Sequence, residues 1–96
     1  MNMATLDTIA FKIIKEQELV IGPLAWSEAQ KVQGIHIDPA KSTVTIDNND
    51  PKNVIDMLVD RYERLFGRAS HEVCKEAAAP FLTGMSAGEI PLSLVT

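Results

Sequence analysis

A chain of 96 residues makes one domain, and 46% hydrophobic content supplies a core, so wholesale disorder is excluded. Nine Lys and Arg against thirteen Asp and Glu give a net charge of −4. With no cationic cluster, a nucleic-acid or anionic-membrane surface is disfavoured. The only cysteine, Cys74, precludes an internal disulfide.

The opening "MNMATLDTIA" lacks a basic segment leading into an apolar one, and no apolar run approaches the ~20 residues that cross a bilayer. The expectation is a soluble cytoplasmic protein.

The first helix is predicted from Leu6, with Thr5 as its N-cap. Leu6, Ile9, Ala10, Ile13 and Ile14, then Val20 and Ile21, follow the spacing of an amphipathic stripe. Lys12 and Glu16 on the outer side are spaced to pair. Gly22 ends this helix in a left-handed corner, and Pro23 suits the first position of the next. A short second helix spans 23 to 33, with Ala25, Ala29 and Val32 inward and Trp26 near the edge; Gly34 closes it.

The texture then changes to period-2 alternation in "GIHIDPAKSTVTID". Ile35 and Ile37 face one way, His36 and Asp38 the other, and Val44 and Ile46 alternate with Thr43 and Thr45. Asp38-Pro39-Ala40-Lys41 makes the turn of a hairpin, with Pro39 at the second position of a type I turn. A two-stranded ribbon is marginal alone, so its apolar face must pack on helices.

Asp50 and Pro51 are the N-cap and first residue of a third helix, which carries Val54, Ile55, Leu58, Val59, Tyr62, Leu65 and Phe66 inward. Asp60 and Arg64 are ordered to pair on its outer face. Gly67 closes it. A fourth helix runs from about Ser70 to Ala79, with Val73, Cys74 and Ala77 inward and Pro80 ending it. Residues 1–82 form a single compact domain on this reading, and 83–96 a flexible tail in which "IPLSLV" has the alternative of docking as an edge strand.

Sliding the chain by 45 residues superposes Ile9 on Val54, Ile13 on Leu58 and Gly22 on Gly67. Only Glu18/Glu63 and Gly22/Gly67 are identical across residues 9 to 33. The offset is either a duplication, giving two helical hairpins about a pseudo-twofold axis, or the generic pattern of any helical hairpin. The fold class on either account is α+β, mainly helical, in the order ααββαα.

"IGPLA", residues 21 to 25, lies between an amphipathic helix and a short one. It resembles small helical modules appended to bacterial and archaeal signalling proteins, which carry a Gly-Pro-hydrophobic-Ala corner. "FGRAS" at the second corner lacks the Pro, and the β-ribbon is no part of that pattern. The resemblance implies a regulatory or interaction role and brings no catalytic residues.

His71 and Cys74 stand one helical turn apart, and His36 is a third soft ligand. Zinc needs three or four convergent ligands, so this set is weak. The simpler reading is a solvent-facing His71 and a packed Cys74. Cys74 as a nucleophile lacks an orienting third group beside His71. "DNNDPKN" is oxygen-rich, but a calcium loop counted from Asp47 puts Pro51, Lys52 and Leu58 where a ligand, a Gly and a Glu are needed. The glycine corners lack the clustered glycines of a phosphate loop.

No cofactor and no catalytic constellation follow from these residues. The reading is a small interaction or regulatory module, self-associating or bound to a protein partner. Its contact surface is placed on Trp26, Ile35, Ile37, Val44 and Ile46. The rival is a metal- or ligand-responsive protein, or a minor enzyme, built on His71, Cys74 and His36.

Overall fold

The computed structural model describes residues 3–38, 40–47 and 49–96, with side chains from Thr5 onward. Its elements are α1 (Met3–Ile21), α2 (Leu24–Ala29), β1 (Ile35–Asp38), β2 (Thr43–Ile46), α3 (Pro51–Phe66) and α4 (Arg68–Leu82), followed by short 3-10 turns at Ala87–Glu89 and Leu92–Leu94. The fold is α+β and mainly helical, with a central antiparallel hairpin between the two helix pairs.

The helix boundaries follow local chemistry, with three departures from expectation. α1 begins at Met3, so Thr5 lies inside its first turn and is not the cap. α2 stops at Ala29 because the chain tightens: Lys31 N donates to Glu28 O and Val32 N to Ala29 O, both bonds spanning three residues. α4 starts directly after Gly67 and runs through Pro80 to Leu82. A proline that close to the end removes only one ladder bond, and less than one turn of helix follows it. Asp50 caps α3 as expected, its side chain accepting from Asn53 N at 3.3 Å, with Pro51 first in the helix.

Gly22 and Gly67 turn the two corners. Gly22 has φ +75° and donates its N–H to Glu18 O at 2.9 Å; Gly67 has φ +90° and donates to Glu63 O at 2.8 Å. Nothing lies within 4 Å of a Cβ built on either, so it is the left-handed φ that calls for glycine there, and not lack of space. The 45-residue offset thus superposes the helix ends and their closing bonds. Beyond the corners the units are unequal: α2 has six residues and α4 fifteen, and α1 packs extensively on α4 while α2 meets α3 over a much smaller area.

In the hairpin, Ile35 stands opposite Ile46, and Ile37 opposite Val44. Asp38 Oδ1 accepts from Ala40 N at 3.0 Å and Lys41 N at 3.3 Å, which organises the turn. Pro39, read as the second turn position, and Asn48 of the "DNND" turn lie outside the described residues. β2 packs on α1, and Asp7 Oδ1 of that helix accepts Ile46 N at 3.0 Å.

Aliphatic side chains fill the core, drawn from the stripes of α1 and α3 together with Ala25, Ala29, Val44, Ile46, Cys74 and Ala78. Tyr62 is fully buried and its hydroxyl donates to Ala25 O at 2.7 Å, joining α3 to α2. At the end of α1 the stripe loses its cover: Gln17 is still buried in phase with Ile13, but Val20, expected inward, is 62% exposed. Leu65, expected inward, is half exposed.

The C-terminal residues correct the expectation of a loose tail, and of an edge strand. Residues 87–96 fold back as two 3-10 turns; Pro91 and Leu94 are buried, and the second turn packs on α3 and α4. An edge strand would need a neighbour with free backbone groups, and the two-stranded sheet does not extend here. Side chains of α3 and α4 hold this segment instead.

Candidate functional site

Three features stand out, the first two built on residues singled out from the sequence. The first surrounds His71. Far from facing solvent, it is 5% exposed, because the returning C-terminal segment covers it. Its Nδ1 lies 2.9 Å from Glu63 Oε1 of α3, and its Nε2 lies 2.6 Å from Ser93 O of that segment. Arg68, one turn earlier on α4, donates from Nη2 to Thr96 O at 3.0 Å. Asp56 of α3 accepts at Oδ1 from both Ser93 N (3.0 Å) and Ser93 Oγ (2.5 Å). Lys52, one turn before Asp56, donates to Gly88 O at 2.7 Å.

Cys74 lies one turn further along α4 and is fully buried, as expected of a packed thiol. Burial pushes the thiol up to about 11, so it is neutral around pH 7 and a poor nucleophile. Its neighbour is Gln17 of α1, whose Nε2 donates to Ser70 O at 2.8 Å and to Cys74 Sγ at 3.3 Å. Gln17 Oε1 is the one buried side-chain polar atom without a hydrogen-bond partner among the described residues. His36 sits apart on the hairpin, exposed, its Nε2 at 2.7 Å from Asp47 Oδ1. Among the described residues no three His, Cys, Asp or Glu side chains gather as a metal-holding group. His71 and Cys74 share a helix face, and each is already engaged by other groups.

The second feature is a groove of about 300 Å³ between α1, α2 and the hairpin, whose lining includes Phe11, Trp26, Ile37 and Asp38. Trp26 is half-buried and meets Phe11 edge to face, ring centres 6.0 Å apart. Of the five residues assigned to a contact surface, only Trp26 and Ile37 border this opening. Ile35, Val44 and Ile46 are buried in the core. That corrects the proposed ribbon surface: α1 covers its apolar face, so the hairpin is satisfied within the chain.

The third feature was missed from sequence. Leu19 and Val20, at the end of α1, are 81% and 62% exposed. They border a groove of about 450 Å³ between α1 and α4, floored by Val73 and Ala77 and flanked by Glu16 and Glu76. Lys12 stands 3.7 Å from Glu16; among the described residues Glu76 has no ion-pair partner. The helical wheel carried only half of this signal: Leu19 falls opposite the buried stripe, whereas Val20, three residues after Gln17, falls within it and is exposed all the same.

Among the described residues, no helix is long and apolar enough to cross a membrane. The comparisons found no family model, no curated protein and no solved structure that matches this chain.

Proposed function

We propose that this chain is a non-enzymatic interaction module of the cytoplasm that holds an amphipathic helix of a partner protein in the groove between α1 and α4. The observation that carries the reading is the pair Leu19 and Val20, large aliphatic side chains left to solvent beside Val73 and Ala77. Burying side chains of this size from water contributes ~1.5–3 kcal/mol each, so an exposed pair on one face is a reservoir for association. The flanking carboxylates Glu16 and Glu76, on a chain of net charge −4, fit a partner whose apolar stripe is bordered by Lys or Arg. A second copy of the chain would bring the same carboxylates against one another. The lone, buried cysteine suits a reducing compartment.

The test is titration of the isotope-labelled protein with a synthetic helical peptide of Leu and Lys at amphipathic spacing, with a scrambled peptide of the same composition as control. Saturable shifts confined to α1 and α4 are expected with the first and not the second. Leu19→Ser should weaken binding by about tenfold while leaving stability within ~0.5 kcal/mol, since the side chain is mostly solvated. Equal binding of both peptides, or shifts elsewhere, would overturn the proposal. A dimer of the protein itself, abolished by Leu19→Ser, would give the groove to a second copy instead.

A further inference from the structure

The C-terminal segment is held in an unusual manner for part of a core. Four side chains of α3 and α4 reach its main chain: Lys52 to Gly88 O, Asp56 to Ser93 N, His71 to Ser93 O and Arg68 to Thr96 O. Glu63 fixes His71 from behind at 2.9 Å. The buried apolar anchors are Pro91 and Leu94, with Ile90 partly buried against the core, while Leu92 and Val95 remain 67% and 57% exposed. The approach to it, from Thr83 to Gly88, is largely solvent-exposed. Main-chain atoms read by fixed side chains, two apolar anchors and an exposed connection are the ingredients of peptide recognition, here satisfied within one chain.

We propose that the groove between α3 and α4 is a peptide-binding site that residues 88–96 fill as a displaceable internal ligand. Its external ligand is a segment of another protein with the pattern Pro-x-Ser-Leu. The Pro and Leu fill the two anchor positions, and the Ser hydroxyl and N–H meet Asp56. A second copy of the chain is a poorer occupant, because its own segment is already seated and exchange adds no contact. A free segment gains the main-chain bonds and both anchors at once. The internal segment acts as a competitor at an effective concentration in the millimolar range, so it sets a threshold for the external one. This site lies on a different face from the groove between α1 and α4 and stands or falls independently of it.

The probe is a fluorescent synthetic peptide with the sequence of residues 86–96, titrated by anisotropy against the full chain and its Leu94→Asp variant, whose own segment no longer anchors. The variant should bind at least about tenfold more tightly than the wild type, because internal competition is gone. Adding Asp56→Asn to it should weaken binding again by about fivefold, one charge-assisted acceptor having been removed. A peptide carrying the same Leu94→Asp change should not bind. A folded variant that ignores the wild-type peptide overturns the proposal.

Should Leu94→Asp fail to fold, hydrogen exchange on the wild-type protein decides. The Ser93, Leu94 and Val95 amides must open about a hundredfold more often than those of α1 and α3; exchange only by global unfolding would make the segment core and end the argument. A wild-type dimer at millimolar concentration that Leu94→Asp abolishes would likewise remove the external ligand in favour of a second copy.

Discussion

Gln17 offers the sharpest test of the energetics. It is fully buried between α1 and α4, and replacing it with Met keeps the length and flexibility of the side chain while deleting both polar atoms. Two effects oppose each other. The Nε2 bond to Ser70 O is lost, worth ~0.5–1.5 kcal/mol, but that carbonyl lies inside α4 and keeps the helix N–H four residues on. Against this, the unpartnered Oε1 costs ~1–3 kcal/mol of desolvation in the wild type, and the substitution removes that cost. The contact with Cys74 Sγ is a weak one and changes the balance little. The net expectation is a gain of about 1 kcal/mol, or roughly 4–8 °C in Tm for a chain of this size. Gln17→Ala should go the other way, since it removes the same polar atoms and leaves a cavity. Urea unfolding followed by Trp26 fluorescence and by far-UV circular dichroism gives both values, with an unchanged slope as the check on two-state behaviour. A loss of more than ~1 kcal/mol in Gln17→Met at unchanged slope would refute the reasoning, because it would mean that Oε1 is served.

Three further expectations follow from single sites. Gly34 has φ +97°, and a Cβ there would stand 2.7 Å from Val54 Cγ2, whereas Gly22 has φ +75° and open space around it; Gly34→Ala should therefore cost well over 2 kcal/mol and Gly22→Ala only about 1, measured by the same unfolding curves. Burial raises the Cys74 thiol from its ordinary 9.0 to about 11, so its contribution to stability is complete below pH 9 and disappears as pH rises through about 11; Cys74→Ala should flatten that alkaline limb, and thiol reagents should label the wild type at pH 8 only as fast as it opens. Lys31 at 3.1 Å and Arg61 at 2.9 Å hold the Glu28 carboxyl below the ordinary carboxylate range, which makes it stabilising above that range and progressively less so as pH falls; Glu28→Gln should shallow the acid limb of a Tm-against-pH curve and leave the neutral region lower.

What could be read in the residues was whatever a short period encodes. Ile9, Ile13 and Ile14 repeat at helical spacing and are buried; Ile35 and Ile37 alternate with His36 and form a strand; Asp50-Pro51 marks a helix start by local hydrogen bonding alone. Errors gathered where the deciding contact is distant in sequence. His71 looks like a surface residue until Ser93, 22 residues later, folds over it. Ile35, Val44 and Ile46 look available for a partner until α1 is laid against them. Gln17 gives no hint of burial as a residue type, because its place is set by the helix phase and by Ser70, 53 residues on. Strict phase sets Leu19 opposite the stripe of α1, but it sets Val20 within the stripe, and its exposure comes from where the covering elements end; Leu19 was given no place on either face, so the face with most to offer a partner went unseen.

The pairing of α1 with α4 also bears on how the molecule comes to be made. A growing chain releases the first helix long before its main covering helix exists: 53 residues separate Gln17 from Ser70, roughly 3 to 10 seconds of ribosomal output. During that interval the isoleucine stripe has only the short second helix, the hairpin and, towards its end, the lesser contact with α3 for shelter, and it is then that a nascent-chain chaperone would find this protein most receptive.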